Sequence, residues 1–400
     1  MHRTTGRDEA HHAQGAGDRQ PITLRARSSV RGLFCSLLCA AVCGCGGGGG
    51  YGGSPPPPPP PPPSSSLLVV TNAANGTLDL LTINTTTGTP TPVTGNPLAD
   101  GTTASGVAID PQKRYLYVAS SSGEIRGYSI NSSPVGLTAI AGSPFSTSAQ
   151  SLAIAVDPSG QFVLTANGSA GTVSVFKIGA YGALTQVAGS PFAAGSGTSA
   201  IIVTAGHYVY AANTTGKSVS AYSLNTTTGV LTSVAGSLFA TPGSPNGLVV
   251  DEADAHVYAT ESGPKEISGF SINAATGALT AITGSPFAVN DVVQVQSPVI
   301  DSGDKRLHAT DGTNVDCFNV DANTGALNEI GLSYTNAHGI ALTVDETDNF
   351  LYALDNIGNQ VAVFSIASDG SLTNTTGSPF PLFSGAGGQS LGPNAIAVQH

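Results

Sequence analysis

One four-residue string limits what this chain can fold into. Gly-Ser-Pro-Phe occurs at Gly142–Phe145, Gly189–Phe192, Gly284–Phe287 and Gly377–Phe380, with weaker copies beginning at Gly95, Gly236 and Gly331. The leading glycines are spaced by 47, 47, 47, 48, 47 and 46 residues. A period this constant marks a repeat architecture, in which each unit buries its apolar face against the next. Within one period the sequence reads as four strands separated by turn residues. In the second repeat these are Gly106–Asp110, Tyr115–Ser120, Glu124–Ile130 and Leu137–Ala141. Alternation of apolar and small polar residues, as at Val173 and Val175, supports half-buried strands.

Seven four-stranded units predict an all-β chain, a seven-bladed β-propeller with one blade per repeat. The ends of the chain specify how the ring closes. The first repeat starts at Leu67 with the second strand of a blade, and the missing first strand stands at the far end, Asn394–Gln399. The C-terminal strand is therefore expected to pair in the first blade, removing two free edges. The repeated string is expected to end the outer strand with its glycine and proline. Phe145, Phe192, Phe239, Phe287 and Phe380 are expected to bury their rings between blades. Seven Asn-x-Ser/Thr sites (Asn75, Asn84, Asn131, Asn167, Asn213, Asn225, Asn374) read as turn residues that tolerate left-handed backbone.

The first 66 residues differ from the rest. Arg25, Arg27 and Arg31 precede an apolar run from Gly32 to Val42, followed by Cys43-Gly44-Cys45. Basic residues, a short apolar core and a small residue before a cysteine are the parts of a secretory signal. The run is shorter than the ~20 residues that span a bilayer. The segment resembles a bacterial lipobox, which implies lipidation at Cys45. The 24 residues before Arg25 are longer than a normal basic region, so the start site is expected later than Met1. Residues 46–66 then form a tether, a glycine run followed by nine prolines from Pro55 to Pro63. The prolines make a stiff rod of about 28 Å at ~3.1 Å per residue. The expected organisation is a signal region with lipobox at 1–45, a Gly/Pro-rich tether at 46–66 and the propeller at 67–400. The expected location is the bacterial cell envelope, periplasmic or on the surface.

Charge narrows the partners. Six of the 14 basic residues and three of the 25 acidic ones precede Cys45, so the remainder carries eight basic and 22 acidic residues. A surface this acidic repels phosphate backbones and argues against nucleic acid. It equally disfavours direct contact with an anionic membrane, leaving the lipid anchor as the expected link to the bilayer. Cys317 is the single cysteine after Cys45, so no disulfide is expected in the domain. His207, His256, His308, His338 and His400 fall in different repeats and show no metal-ligand spacing, so neither metal nor cofactor is expected. Asp110, Asp157, Asp251, Asp301 and Asp345 each follow an inner strand. They admit two readings, a carboxylate ring for cations or caps for successive turns, and the turn reading is preferred.

The repeats, of the form YSINTTTGxLT, then GSPF, then AIDPxGxxLYVAN, resemble those of the lactonase-like seven-bladed propellers. That group includes bacterial 6-phosphogluconolactonases and carboxy-muconate-lactonizing propellers; a looser similarity is to YVTN-repeat surface propellers. The resemblance spans residues 67–400. It implies Arg, His and a carboxylate at the mouth of the central channel, in a GPRH-like string before innermost strands. The matching strings here are Gly392-Pro393-Asn394-Ala395, Ser244-Pro245-Asn246-Gly247, Gln296-Ser297-Pro298-Val299 and Asn336-Ala337-His338-Gly339. Only the last carries an imidazole and none has a nearby arginine, whereas lactone hydrolysis needs a base and an oxyanion partner. The leading expectation is therefore a monomeric, envelope-anchored binding or scaffolding module. Gln150, Asn246, Gln296, His338 and Asn394 would contact a carbohydrate or protein ligand at the channel mouth. The alternative is a lactone hydrolase of the 6-phosphogluconolactonase type with a diverged site and His338 as its catalytic base.

Overall fold

The computed structural model describes residues 65–101, 103–147, 149–263, 265–289, 295–301, 303, 305–333, 339–383 and 393–398. They form seven antiparallel sheets, the blades of a propeller. The signal region, Cys45 and the tether up to residue 64 lie outside the described residues, as does His338; Ser65 and Ser66, read from the sequence as the end of the tether, are the start of the first strand.

Blade 3 shows the plan. Strand a, Ala153–Val156, is innermost; strand b is Phe162–Asn167, strand c Thr172–Ile178 and strand d Leu184–Gln186. Successive a strands adjoin around the ring, and Gly339–Val344 of blade 7 adjoins Pro393–Val398 of blade 1. Blade 1 takes its b and c strands, Ser65–Asn72 and Thr77–Asn84, from the start of the domain and its a strand from the end. Leu68, Val69 and Val70 pair with Val398, Ala397 and Ile396. The closure expected from the sequence is thus present.

The repeated string does more than end the outer strand. In blade 3 the first half of strand c pairs not with strand d but with a fifth, two-residue strand, Phe192–Ala193. The outer edge forks, and at the fork Ser190 Oγ accepts the backbone N–H of Val175 at 2.9 Å. Ser143, Ser237, Ser285 and Ser378 accept from Gly127, Ala221, Gly269 and Val363 in the same way, at 2.9–3.1 Å. In blade 1 Asn96 Oδ1 takes this place, 2.7 Å from the Leu80 nitrogen. The serine satisfies the donor that two diverging strands leave unpaired. Blade 6, where Gly331-Leu332-Ser333 replaces the string, has no fork; strand d, Leu327–Ser333, covers the whole of Val315–Val320.

The apolar core is divided among the seven seams between blades. Phe162, Leu164 and Val175 of blade 3 meet Val209, Ala211 and Tyr222 of blade 4, and each other seam has its own cluster. The five string phenylalanines pack on the rims of these clusters and are half-buried. Four seams add a hydrogen bond. Tyr117, Tyr210, Tyr258 and Tyr352 donate their hydroxyls to the carbonyls of Gly182, Gly277, Gly325 and Gly88 in the following blade, at 2.8–3.0 Å.

Those carbonyls belong to the glycine-ended turns between strands c and d, Asn84–Gly88 in blade 1 and Asn273–Gly277 in blade 5 among them; blade 4 has the matching turn Asn225–Gly229. Asn225 Oδ1 accepts the N–H groups of Thr227 and Thr228 at 3.0 and 2.9 Å, a side-chain cap that closes the turn. Gly229 ends it at φ +77, and a Cβ there would stand 2.6 Å from the Phe162 ring of the preceding blade. The expectation of left-handed asparagines is corrected: none of the seven Asn-x-Ser/Thr asparagines has positive φ. Asn84 and Asn225 act through their side chains, while Asn131, Asn167, Asn213 and Asn374 lie on strands.

The aspartates after the inner strands are turn caps. One oxygen of Asp157 accepts Gln161 and Phe162 nitrogens at 2.7 and 2.6 Å. Asp110, Asp251, Asp301 and Asp345 repeat this with the residues four and five positions on. Their second oxygens are engaged too, for example with Arg114 at 2.9 Å and His256 at 2.7 Å.

Candidate functional site at the channel mouth

Because all a strands run the same way along the axis, the residues at their starts gather at one end of the channel. Gln150 precedes Ala153–Val156, Asn246 lies early in Ser244–Val250, Gln296 opens Gln296–Ile300 and Asn394 is second in Pro393–Val398. The chain places all four at this same mouth, together with the start of Gly339–Val344. His338 itself is outside the described residues, and of Asn394 only the backbone is described.

The four differ in what they have to offer. Gln150 is exposed and its side chain lies over Gly168. Asn246 is committed: its amide nitrogen donates to Ser262 Oγ at 2.9 Å and to the Val295 carbonyl at 3.0 Å, and its oxygen accepts Thr260 Oγ1 at 2.8 Å. That amide ties blade 5 to blade 6. Gln296 is half-buried and stands beside a bulge in its strand, which separates its pairing with Thr310 from that of Val299 with His308.

Bulges recur at this end. The a strands of blades 1, 2, 4, 5, 6 and 7 each shift register near their start. A bulge re-aims side chains locally and turns the strand into the channel rim. Between the bulges runs a belt of small hydroxyls that sequence reasoning did not single out. Ser105 Oγ donates to the Ser151 carbonyl at 2.5 Å, and Thr214 Oγ1 to the Pro245 carbonyl at 2.7 Å. Ser297 Oγ accepts the Leu342 N–H at 2.9 Å. Each bond joins neighbouring blades. Ser105 and Ser297 are the second residues of their strands and Thr214 directly follows strand b of blade 4, but Ser and Thr are too common in this chain to stand out.

Charge at this end lies further out. Arg126, Lys217 and Lys265 sit at the beginnings of c strands, two strands from the axis. Arg126 pairs with Glu124 at 3.3 Å. Glu261, at the end of strand b in blade 5, is fully buried and accepts from Ser268 Oγ and the Gly243 N–H. Burial raises its pKa, with those two bonds opposing. Asp79 at the matching end of blade 1 is also buried; burial pushes its pKa up to about 6, outweighing the lowering effect of the Phe383 backbone N–H and the Asn96 amide. Among the described residues no group of three or more His, Cys, Asp and Glu side chains is arranged to hold a metal ion.

The opposite end of the channel holds a cavity of about 480 Å³. Ile109, Pro111, Val156, Thr343, Ile396 and Val398 line it, with Asp110 as the charged member. These residues stand at the far ends of the a strands, away from the sequence-predicted contacts. The carboxyl of Asp110 is already held by its turn and by Arg114.

Seven antiparallel sheets around one axis, with hydroxyl and amide groups at the starts of the inner strands, define a seven-bladed β-propeller. The family model described as lactonase, seven-bladed β-propeller matches residues 66–190 and 185–300, and the chain belongs to that family. Solved structures share the fold. A Bacteroides uniformis protein assigned, by name only, as a 6-phosphogluconolactonase superposes with a TM-score of 0.73 at 17% identity, covering 84% of this chain and 99% of its own. The periplasmic gluconolactonase of Pseudomonas aeruginosa superposes with a TM-score of 0.71 at 16% identity, covering 84% of this chain and 99% of its own. Comparison with curated proteins finds no match.

Proposed function

We propose that this protein is a sugar-lactone hydrolase of the lactonase family, working at the channel mouth. The supporting observation is family membership together with a mouth rimmed by neutral hydroxyl and amide groups, Gln150, Ser105, Thr214 and Gln296 among them. Such groups suit a polyhydroxylated ring, whose hydroxyls donate and accept in turn. His338, immediately before the innermost strand of blade 7, is the proposed base. It would take a proton from water as the water oxygen bonds to the lactone carbonyl. The ring C–O bond then breaks and the proton passes to the released oxygen, leaving a hydroxy acid. The gluconolactonase and 6-phosphogluconolactonase names of the similar structures favour a sugar-derived lactone.

The test is acid release from a panel of sugar and dicarboxylate lactones by the purified protein. Turnover that His338→Ala lowers by about 10²-fold or more supports the reading. No turnover on any lactone defeats it.

A second reading, a carbohydrate-binding module without catalysis, is favoured by one observation. Among the described residues the cations at this end stand two strands from the axis rather than in the mouth. Retained binding of a sugar polymer by a protein that hydrolyses none of the panel would select it.

We further propose export and anchoring through a lipid on Cys45, with residues 46–66 as spacer. The sequence pattern supports this, and the P. aeruginosa protein of the same fold is periplasmic. Loss of membrane fractionation in Cys45→Ser tests it; unchanged fractionation refutes it.

A further inference from the structure

Three polar positions recur together at the mouth end of a blade, on the face turned to the preceding blade. They are the last residue of strand b and the first and third residues of strand c. In blade 3 these are Asn167, Thr172 and Ser174. Asn167 Nδ2 donates to Thr172 Oγ1 at 3.0 Å and to Ser174 Oγ at 2.8 Å, and its oxygen accepts Thr165 Oγ1 at 3.0 Å. In blade 4 Asn213 does the same with Ser218 and Ser220 at 3.1 and 2.9 Å, and accepts the Gly195 N–H at 3.1 Å. Both clasps are closed and every amide atom is used.

Blade 1 carries Asn72, Thr77 and Asp79 at the same positions, and its clasp is open. Asn72 and Asp79 are 0% exposed. Neither Asn72 Nδ2 nor Asn72 Oδ1 has a hydrogen-bond partner; nor do the buried Thr77 Oγ1 and Asp79 Oδ2. Asp79 Oδ1 takes Asn96 Nδ2 at a long 3.3 Å. Asn72 and Thr77 are directly opposed across the ladder, and Asp79 lies two residues along strand c on the same face. The amide that holds two hydroxyls in blades 3 and 4 holds none here, although a hydroxyl stands in the matching place. The chemical difference is the third position, where a carboxylate replaces serine.

The geometry points to a binding site for a hard divalent cation of the calcium class, held by Asn72 Oδ1, Thr77 Oγ1 and Asp79 Oδ2 in the seam where blade 7 meets blade 1. Carbonyl, hydroxyl and carboxylate oxygens are the donor types such an ion selects. A buried amide and hydroxyl left without partners are costly, and an ion facing their oxygens offsets that cost. A water molecule would satisfy the neutral groups in any blade; the carboxylate specific to blade 1 is what calls for positive charge. Three side-chain oxygens are fewer than the six to eight calcium takes, so water or backbone completes the shell. The affinity belongs to the weak, roughly 10⁻⁴–10⁻³ M class typical of extracellular modules. The seam is also where the ring closes, so occupancy stabilises the fold whether or not the mouth hydrolyses lactones.

The experiment is thermal unfolding of the full-length, chelator-treated protein with and without calcium chloride, alongside equilibrium dialysis with ⁴⁵Ca²⁺. The comparison variant is Asp79→Ser, which installs the residue that blades 3 and 4 carry. At calcium about tenfold above the dissociation constant, the wild-type midpoint should rise by about 2–4 °C, with one ion bound per chain. Asp79→Ser should show neither. No calcium response in the wild type, or an equal response in Asp79→Ser, overturns the proposal. Should the variant fail to fold, dialysis of the wild type alone decides: no stoichiometric calcium means water only at the seam.

Discussion

The hydroxyl of Tyr352 in blade 7 donates to the carbonyl of Gly88 in blade 1, 3.0 Å away. It is the same bond that Tyr117, Tyr210 and Tyr258 make at other seams, here spanning the two ends of the chain. Tyr352→Phe leaves a buried carbonyl without its partner and should cost about 1–2 kcal/mol in urea unfolding. Tyr117→Phe should cost the same amount, since the bond is equivalent. A much larger loss at Tyr352 would mean that closure is the weak point of the ring.

Deleting residues 393–400 removes the strand that pairs with Leu68–Asn72. Blade 1 then exposes the inner edge of strand b and the ring has nothing to close on. The expected outcome is loss of the single cooperative unfolding transition, and loss of hydrogen-exchange protection at Leu68–Thr71. Protection equal to that of the intact protein would refute the closure argument.

Two glycines separate backbone strain from crowding. At Gly95, φ is +87 and nothing lies within 4 Å of a Cβ, so Gly95→Ala carries only the left-handed penalty of about 1–2 kcal/mol. At Gly229, φ is +77 and the new methyl would meet Phe162 at 2.6 Å and Val187 at 2.7 Å. Overpacking should add about 1–3 kcal/mol, and differential scanning calorimetry of the two variants measures the difference.

His308 gives the fold a defined response to acid. It is fully buried beside Cys317, with Nδ1 3.1 Å from the sulfur, and burial pulls its pKa from 6.5 down to about 4. The unfolded chain therefore binds the proton more readily than the folded one. This contribution is complete above pH 6.5 and is lost as pH falls toward 4. Between pH 6.5 and 5 it amounts to about 2 kcal/mol. In His308→Tyr, which installs the residue found at this position in blades 2, 4, 5 and 7, that part of the pH dependence should vanish. Equal slopes of stability against pH in the two proteins would show that another group carries the effect.

Most of the architecture was legible because the repeat carries it. The spacing of seven glycines specified blade number, and a first repeat lacking its inner strand specified the closure at Leu68 and Val398. The fork was not legible, since nothing in Gly-Ser-Pro-Phe says that the serine plugs a backbone donor while the phenylalanine turns back to strand c. The site was legible only in position. Strand starts predicted which residues share the mouth, but whether an amide such as Asn246 is free depends on the carbonyl of Val295, 49 residues away. Periodicity reports which face a residue occupies and is silent on who else stands there.

The forked outer margin governs how these molecules meet one another. In blades 3, 4, 5 and 7 the outermost ribbon is cut into pieces of two and three residues, too short to template an added strand from a neighbouring chain. Blade 6 alone presents a seven-residue rim, Leu327–Ser333, with Ile330 partly bare to solvent. At high concentration such rings would find in that one blade their readiest surface for self-association, and Glu329, set in the middle of the rim, is the charge that resists it.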